Sequence, residues 1–335
     1  MFKEFDFEKF FAGLSRQKIV IIGDVMIDTY LWGRVGRISP EAPVPIVSGI
    51  IEESRLGGAA NVALNIKALG GVPILCAVIG DDERGDIFLE LLKDQQLSDV
   101  GITVDDYRIT TQKTRIISGN QHLLRVDEEM DILLGKRLEE VFIGLVRDLL
   151  ESGGIDAIII QDYDKGVITP KVMEMVMSVS GEQKIPVLVD PKIRNFSLYN
   201  GVGLFKPNLK ELREGMKLDL TREDFDAIAA AAEKLRLDKG HEVVMVTLSD
   251  KGIILADREG THHVPGVPRE INDVSGAGDT VISVAALGLV AGLTPVQIAA
   301  LANIAGGQVC EKPGVVPVNR VQLLEECRTI FEKGR

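Results

Sequence analysis

The stretch INDVSGAGDT, residues 271–280, carries the strongest chemical signal because an apolar helical run follows it directly. A Gly-Ala-Gly turn at the start of a helix leaves the N–H groups of Gly276, Ala277 and Gly278 unpaired, so they can bind an anion at the positive end of the helix dipole. Beside them, Asp279 can accept a proton from a hydroxyl group while the N–H groups stabilise charge on a phosphoryl group in transfer. Alternatively, Asp279 only favours the helix start electrostatically.

A second glycine cluster, GGAAN at residues 57–61, precedes another helical pattern. Gly57 and Gly58 allow a ligand to approach the backbone, and the amide of Asn61 offers a donor and an acceptor to a polyol. Close packing of a helix on a sheet would explain the same glycines without a ligand. Asp28, near the end of the first predicted strand, lies where open α/β folds bind ligands, and sugar hydroxyls suit its carboxylate.

Asn208 and Glu211 stand three residues apart at the start of a further predicted helix, in KPNLKE. Residues at this spacing face the same side of a helix, so the two oxygen ligands could hold Mg²⁺ through its water shell. A capping box, with Asn208 as the N-cap and Glu211 completing the motif, is the alternative.

Several kinds of nucleotide site are absent from the sequence. It contains no GxxxxGK[ST] loop, no HRD catalytic loop and no DFG triplet, which excludes P-loop and protein-kinase mechanisms. The first predicted strand ends in GDVM without a glycine-rich dinucleotide turn, which disfavours a nicotinamide-dependent dehydrogenase.

The residues that must position these motifs alternate between β-branched runs and helical patterns. Nearly continuous apolar strands such as IDAIII and IPVLV are typical of a parallel sheet covered by helices on both faces. We therefore expect an α/β fold with one doubly wound, mainly parallel sheet, in a single domain over residues 1–335. The predicted strands cover 18–22, 72–78, 155–160, 185–189, 243–247 and 252–256, and the predicted helices 58–69, 84–93, 135–150, 277–290, 295–309 and 320–332, with one more starting at Pro170.

Two segments interrupt this alternation, residues 30–47 and about 102–127. Both alternate polar and apolar residues, as strands with one exposed face do. We interpret them as a small antiparallel sheet that projects from the core as a lid over a site. An ordinary edge hairpin would give the same pattern.

The composition limits the partners. A net charge of −12 with scattered Lys and Arg argues against nucleic-acid binding. The most apolar tract, residues 281–293, is too short to span a bilayer, and the first residues lack the apolar stretch of a secretory signal. Three cysteines without a CxxC pair suit a reducing compartment. The sequence predicts a cytoplasmic protein with no membrane or nucleic-acid partner.

Taken in order, GGAAN at 57–61 and DVSGAGD at 273–279 resemble the two signatures of the ribokinase-like (PfkB) carbohydrate kinase family. The resemblance spans nearly the whole chain, through Asp28, the Asn-x-x-Glu motif and Val246-Thr247-Leu248. It implies a ribokinase-like core with a β-sheet lid, ATP as donor with Mg²⁺, Asp279 as the base and in-line phosphoryl transfer. It also implies ATP contacts at Lys192, Asn208, Thr247, Gly252, Gly276, Gly278 and Asn303.

Within that family, the stretches GDVMIDTYLWGRVGRISPEAPVPIV, QDYDKGVIT, VDPK and TQKTRIISGNQHLLRVDEE resemble the heptose 7-phosphate kinases of lipopolysaccharide-precursor synthesis. The implied reaction converts D-glycero-β-D-manno-heptose 7-phosphate to the 1,7-bisphosphate at its anomeric hydroxyl. The 7-phosphate needs cations remote from Asp279, and the candidates in the lid segment are Lys113, Arg115 and Arg125. Alternatively, these three side chains are only solvated surface charges. Lys165 and Lys192 are further candidates for phosphate contact.

The same resemblance leaves alternatives open. A kinase for another sugar, sugar phosphate or nucleoside is the nearest, and a non-catalytic sugar- or nucleotide-binding protein is more remote because Asp279, Asn208 and Glu211 are all present. Many heptose kinases carry a C-terminal nucleotidyltransferase, and no second αβ unit follows the last predicted helix. We therefore expect a monofunctional kinase or a kinase portion. Apolar residues on an exposed lid face would also favour a homodimer through the lid.

Overall fold

Strands and helices alternate in the computed structural model, which describes residues 2, 5–119 and 121–331. The strands are β1 (Lys18–Gly23), β2 (Val25–Ile38), β3 (Pro45–Gly58), β4 (Val72–Gly80), β5 (Gly101–Asp105), β6 (Gln112–Ser118), β7 (Gln121–Glu128), β8 (Ala157–Gln161), β9 (Val187–Asp190), β10 (Leu204–Phe205), β11 (Val243–Thr247), β12 (Ile253–Asp257) and β13 (Gly260–Val264). The helices are α1 (Phe7–Gly13), α2 (Ala59–Leu69), α3 (Glu83–Asp94), α4 (Lys136–Glu151), α5 (Pro170–Gln183), α6 (Leu209–Met216), α7 (Phe225–Lys239), α8 (Ala277–Val290), α9 (Pro295–Cys310) and α10 (Arg320–Phe331).

Nine of the described strands form the central sheet, in the order β13-β12-β11-β10-β9-β8-β1-β4-β5. The neighbours from β11 to β5 are parallel, and β12 and β13 add an antiparallel edge. Along β1, Ile19 and Ile21 pack into one apolar cluster while Val20 and Ile22 pack into another. Both faces of the strand are therefore buried, as the continuous apolar runs predict. The predicted fold class is confirmed.

Helices cover both faces of the central sheet. Residues of α2, α8 and α9 belong to the first apolar cluster, and residues of α4, α5 and α7 belong to the second. Glycines fix where α2 begins and ends, because Gly58 before it has φ +61° and Gly70 after it has φ +105°. No helix of the described chain is long and apolar enough to cross a membrane.

A separate four-stranded sheet, in the order β3-β2-β6-β7, forms the lid. The prediction of a small projecting antiparallel sheet is confirmed for the pairs β2–β3 and β6–β7, whereas β2 and β6 in its centre pair in parallel. Both strands enter the lid from carboxyl ends of the core sheet: β2 follows β1 after the single residue Asp24, and β6 follows β5 through residues 106–111. Strands that leave the same edge must run in the same direction.

The predicted lid segment of residues 102–127 starts one strand too early. Residues 101–105 are β5, which pairs with β4 at the edge of the central sheet. Gly101 permits this close packing, because a Cβ there would lie 2.3 Å from the carbonyl oxygen of Leu75. Asn120, inside the predicted segment, and Glu332, at the predicted end of the last helix, lie outside the described residues.

Four elements were absent from the sequence prediction: α1, β10, α7 and β13. Local signals do mark α7, since Asp224 caps its first turn by accepting a hydrogen bond from the Ala227 N–H, and Gly240 ends it with φ +67°. By contrast, β10 has only two residues and pairs with β9 and β11. A strand this short has no periodicity from which to predict it.

Candidate active site

The two glycine motifs meet at the carboxyl edge of the central sheet. The Asn61 side chain at the start of α2 donates a hydrogen bond to Asp279 Oδ2 on α8 at 2.7 Å. Gly276 makes this approach possible, because a Cβ there would lie 2.8 Å from Asn61 Nδ2. Motifs more than 200 residues apart in the sequence thus share one site.

Asp279 is buried, with a relative exposure of 2%, and its other oxygen also has donors. Oδ1 accepts hydrogen bonds from the Tyr163 hydroxyl at 2.7 Å and from Gln161 Nε2 at 3.1 Å. Burial raises the pKa of Asp279 to about 7, against the opposing effect of the hydrogen bonds from Asn61 and Tyr163. A carboxyl group with such a pKa can take up a proton near neutral pH, which suits a general base.

The N-terminus of α8 forms a cradle beside this carboxylate. Gly276 has φ +81°, and the N–H groups of Gly276 and Gly278 have no hydrogen-bond partner in the part of the chain that the structure describes. The Ala277 N–H differs from the prediction, because it donates to the Val274 carbonyl at 3.3 Å. Two of the three predicted N–H groups are therefore open to an anion at the positive end of the helix.

A buried ion pair lies next to the cradle. Lys206 Nζ and Asp190 Oδ2 are 2.9 Å apart, and both side chains are almost fully buried. A Cβ on Gly278 would lie 3.5 Å from Lys206 Nζ, which places the ammonium group next to the open N–H groups. The ion pair of Lys206 and Asp190 therefore lies directly beside the cradle.

Sequence reasoning missed four residues of this site, and they share one position in the fold. Each lies at or just after the carboxyl end of a neighbouring strand, β8, β9 or β10: Gln161, Tyr163, Asp190 and Lys206. Polar residues directly after apolar runs, as in IIIQDY and VLVDPK, were the available signal. Gln161 Oε1 is buried and has no hydrogen-bond partner among the residues that the structure describes, so the site retains an open acceptor.

The predicted sugar ligand Asp28 lies on β2, close to Gly57, the first glycine of the GGAAN motif. Its carboxylate is buried and forms an ion pair with Arg115, whose guanidinium group lies 5.4 Å from the centre of the Tyr30 ring. Burial raises the pKa of Asp28, and Arg115 lowers it in part. Gly57 is needed here, since a Cβ would lie 2.1 Å from Asp28 Oδ2. Arg115, predicted to contact a phosphate, is the partner of Asp28 in this structure.

Two other predicted phosphate ligands, Lys113 and Lys165, come together across the gap between lid and core. One carboxylate joins them: Glu129 Oε2 is 2.7 Å from Lys113 Nζ, and Glu129 Oε1 is 2.8 Å from Lys165 Nζ. Arg125 does not join them directly, because its exposed side chain pairs with Asp127, which also contacts Lys113. The structure thus groups two cations around one anionic side chain.

Asn208 and Glu211 form a capping box at the start of α6, the alternative that the sequence left open. The Glu211 N–H donates to Asn208 Oδ1, the Asn208 N–H donates to Glu211 Oε2, and Lys192 Nζ lies 2.8 Å from Glu211 Oε1. Every oxygen of the two side chains therefore has a protein partner. The described residues contain no cluster of three or more His, Cys, Asp or Glu able to hold a metal ion, so a role toward Mg²⁺ would have to run through water molecules.

The residues predicted on the nucleotide side lie around the end of β11. Thr247 donates its N–H to the Pro207 carbonyl at 3.1 Å, next to Asn208. Gly252 has φ +92°, and a Cβ on it would lie 2.1 Å from the Val264 carbonyl oxygen. Asn303 on α9 donates to the same Val264 carbonyl at 3.0 Å. The structure brings Gly252 and Asn303 to one loop.

Comparison with known families matches residues 16–320 to the model described as pfkB family carbohydrate kinase. The chain belongs to the pfkB family. This confirms the resemblance seen in the motifs at residues 57–61 and 273–279. A pfkB kinase is a phosphotransferase that acts on a sugar hydroxyl, so the chain is an enzyme of that class.

Similar curated proteins are longer than this pfkB kinase. The chain is 38% identical over 320 residues to the bifunctional protein HldE of Pelobacter propionicus, a match that covers 95% of the chain and 64% of that relative. It is 40% identical over 309 residues to the bifunctional protein HldE of Koribacter versatilis, covering 92% of the chain and 62% of that relative. The chain thus spans less than two thirds of the length of these relatives.

Solved structures of more distant proteins share the pfkB kinase fold. Phosphofructokinase-2 of Escherichia coli superposes with a TM-score of 0.76 at 18% identity, covering 94% of this chain and 99% of that one. Ribokinase of Thermotoga maritima superposes with a TM-score of 0.69 at 19% identity, covering 92% and 98%. At such identities the likeness concerns the fold alone.

Proposed function

We propose that this pfkB kinase transfers the γ-phosphoryl group of ATP to the anomeric 1-hydroxyl of D-glycero-β-D-manno-heptose 7-phosphate, giving the 1,7-bisphosphate for lipopolysaccharide-precursor synthesis. The observation that carries phosphoryl transfer is the buried carboxylate of Asp279 beside the open N–H groups of Gly276 and Gly278. The heptose assignment is supported by the long stretches that resemble heptose 7-phosphate kinases. The bifunctional relatives agree with it, since many of those kinases carry a second domain.

In the proposed reaction Asp279 is the general base. It takes the proton of the 1-hydroxyl while that oxygen forms a bond to the γ-phosphorus, and the bond from the γ-phosphorus to the β–γ bridging oxygen breaks to release ADP. Asn61 donates a hydrogen bond to Oδ2 and so fixes the orientation of the carboxylate. The open acceptor Gln161 Oε1 suits a hydroxyl group of the sugar, and Asp28, Gly57, Gly58 and Asn61 complete the proposed sugar site.

The N-terminus of α8 is the proposed anion hole. Among the described residues, the N–H groups of Gly276 and Gly278 have no partner, and the ammonium group of Lys206, paired with Asp190, lies next to them. Preorganised donors of this kind stabilise charge on the transferring group because they need no reorientation during the reaction. Lys192, Asn208, Thr247, Gly252 and Asn303 are the proposed ATP contacts.

Mg²⁺ bound with ATP would neutralise charge on the phosphates, and Asn208 and Glu211 fit it only through an intervening water layer. Their oxygens already accept hydrogen bonds or an ion pair from the protein. Such oxygens retain second lone pairs that can accept from water. The two residues would then orient the hydrated ion rather than ligate it.

Lys113 and Lys165 form the proposed site for the 7-phosphate. Their ammonium groups converge on Glu129, and an arrangement in which two lysines share one anion also suits a phosphate. Arg125 lies at the exposed side of the same cluster through Asp127. Arg115 contributes indirectly, by holding Asp28.

We also propose that the lid forms a homodimer. Several large apolar side chains of the four-stranded sheet are exposed: Ile38, Ile50, Ile51, Leu124 and Val126. The outer strands of this sheet, β3 and β7, also have unpaired edges. Pairing two lids would cover both features. We place the reaction in the cytoplasm, where ATP is available and the three free cysteines would stay reduced.

The test of the proposed function is ATP- and Mg²⁺-dependent ADP release with D-glycero-β-D-manno-heptose 7-phosphate, compared with unphosphorylated heptose, fructose 6-phosphate and ribose. We expect turnover with the heptose phosphate alone, and a loss of at least about a hundredfold in kcat in Asp279→Asn, as removal of a general base costs. Preferred turnover with another sugar would overturn the heptose assignment. Full activity in Asp279→Asn would overturn the role of the base.

A further inference from the structure

The Tyr163 hydroxyl is the closest donor to Asp279 Oδ1, at 2.7 Å. The other two donors to Asp279, Asn61 and Gln161, are amides. Phenol hydroxyls are stronger hydrogen-bond donors toward an anion than amides are, because the phenol O–H is more acidic. The hydrogen bond from Tyr163 therefore affects the charge of Asp279 more than the hydrogen bond from Gln161 does.

The main chain around Tyr163 is fixed by a second carboxylate. Asp24, buried between β1 and β2, accepts hydrogen bonds from the N–H groups of Tyr163 at 2.9 Å, Lys165 at 3.1 Å and Val167 at 3.1 Å. Lys192 Nζ lies 5.3 Å from the centre of the Tyr163 ring and adds a cation–π contact. The direction of the hydroxyl is thus set by the backbone and by a contact to the ring.

The charges around Asp279 come from several elements and oppose one another. Asp190 at the end of β9 raises the pKa of Asp279, whereas Lys206 after β10 lowers it. Those two groups are paired with each other, so they largely cancel. Lys192 is engaged with Glu211, and Asp28 with Arg115. After burial, which raises the pKa of Asp279 most, the hydrogen bonds from Asn61 and Tyr163 therefore have the largest effect on its charge state.

We propose that Tyr163 is a positioning residue that favours the ionised form of Asp279 and aims its free lone pairs at the acceptor hydroxyl. The inference rests on the proposed role of Asp279 as the base. Tyr163 is able to act as a donor throughout the working range, because burial and the nearby Asp279 raise the pKa of its phenol well above the ordinary value. It needs no change of protonation during the reaction.

The sign of the effect follows from the direction of this hydrogen bond. A donor to a carboxylate favours the charged form, so removing the donor raises the pKa of the acid. The base then becomes protonated at a higher pH. The acid limb of the kcat/KM profile reports the free enzyme and must therefore move to higher pH, while the value of kcat/KM on the alkaline plateau does not change.

The first experiment compares the pH profile of kcat/KM for D-glycero-β-D-manno-heptose 7-phosphate in the parent enzyme and in Tyr163→Phe. We expect the acid limb to move up by about one to two pH units, the equivalent of one charge-assisted hydrogen bond, with a similar alkaline plateau. An unmoved acid limb, or an equal loss at every pH, overturns the proposal.

A matched control comes from Tyr199, which donates to the buried carboxylate of Asp162 at the same distance of 2.7 Å. Tyr199→Phe removes a hydroxyl of the same kind without touching Asp279. We expect it to lower the melting temperature and to leave the acid limb in place. A shift equal to that of Tyr163→Phe would mean that any buried hydroxyl acts alike, which contradicts the proposal.

A second measurement needs neither turnover nor a fully stable variant. Infrared titration of the protein without substrates detects the protonated carboxyl band of Asp279, identified by its absence in Asp279→Asn. Replacing Tyr163 with a fluorinated tyrosine, a stronger donor of nearly the same shape, must move this titration to lower pH, and Tyr163→Phe must move it to higher pH. If the titration does not move, the proposal fails even when Asp279 is the base. If it moves but Asp279→Asn keeps its activity, only the proposed function fails.

Discussion

At the scale of single residues, two buried aspartates near the sugar site differ in their partners. Asp28 is paired with the full positive charge of Arg115, whereas Asp279 receives three neutral hydrogen bonds from Asn61, Gln161 and Tyr163. Burial raises the pKa of both groups, and the nearby cation Arg115 offsets part of that rise at Asp28. The neutral donors around Asp279 orient its carboxylate, and its pKa is about 7. The carboxylate of Asp279 is therefore not tied to a cation, which is consistent with its proposed role as the base.

Gly57→Ala tests the sugar site at this scale. A Cβ at residue 57 would lie 2.1 Å from Asp28 Oδ2, so the carboxylate must move away from the position that Arg115 gives it. We expect kcat/KM for the sugar to fall about tenfold, the cost of losing one charge-assisted hydrogen bond, with KM for ATP unchanged. Steady-state kinetics with each substrate varied measures both values.

The control for this substitution is Gly36→Ala. Gly36 lies on the same strand, β2, and a Cβ on it would meet no atom within 4 Å. Its kinetics should match those of the parent enzyme. Equal losses in both variants would show that β2 itself is sensitive to alanine and would remove the argument about Asp28.

The sequence predicted the residues whose role depends on local motifs. Asp279, Asn61 and the glycines were found because a glycine turn before a helix can be recognised along the chain. Tyr163 and Lys206 could not be assigned a role, because their contacts depend on which strand ends are neighbours in the sheet. The order of β8, β9 and β10 is a tertiary property, and no local pattern contains it.

At the scale of elements, the lid meets the core at Glu129, which follows β7. Its carboxylate contacts Lys113 on β6 and Lys165 after β8, so one side chain links the two sheets. The two lysines hold the pKa of Glu129 below its ordinary value, against the opposing effect of burial. Glu129 is therefore charged at neutral pH and occupies the place in which the 7-phosphate is proposed to bind.

Glu129→Gln tests whether this carboxylate competes with the substrate phosphate. The substitution removes the negative charge and keeps the shape, so we expect KM for the heptose 7-phosphate to fall about fivefold, as the loss of two partly exposed ion pairs implies. KM for the unphosphorylated heptose, if it turns over at all, should not change. A higher KM for the phosphate would mean that Glu129 positions the lysines instead.

Its neighbour Glu128 supplies the matched control. Glu128 pairs with Arg84 on α3 at 2.5 Å and has no contact with Lys113 or Lys165. Glu128→Gln removes the same charge at nearly the same place and should leave both KM values unchanged. A fall equal to that in Glu129→Gln would point to a general effect of net charge.

The lid was the element that the sequence described least well. Alternating polar and apolar residues indicated exposed strands, but the same pattern gives no direction of pairing. The parallel pairing of β2 with β6 follows from the entry of both strands at one edge of the core sheet. The boundary near residue 102 was misplaced because β5 is an edge strand of the core sheet, and its outer residues are partly exposed like those of the lid.

At the scale of the whole molecule, the exposed apolar face of the lid is the feature that favours self-association. Leu124 has a relative exposure of 56% on the outer strand β7 and shares a face of that strand with the exposed Val126. In Leu124→Lys a charge would be buried between two lids, so we expect the dimer to dissociate at least about tenfold more readily. Sedimentation over a range of protein concentrations measures this directly.

Leu237 on α7 provides the comparison, since it is 63% exposed but lies on the central domain rather than on the lid. Leu237→Lys should not change the sedimentation behaviour. A parent protein that sediments as a monomer at every concentration would contradict the dimer, and a dimer that resists Leu124→Lys would place its interface elsewhere.

Asp24 alone separates the core strand β1 from the lid strand β2. Its carboxylate holds the loop of Tyr163, and its carbonyl accepts the Ala59 N–H at the start of the helix that carries Asn61. Two of the three groups that donate to Asp279 are thus connected through one residue to the first strand of the lid. We therefore expect a change in the angle of β2 to alter the hydrogen bonds of the proposed base, even though no described residue of the lid sheet donates one to it.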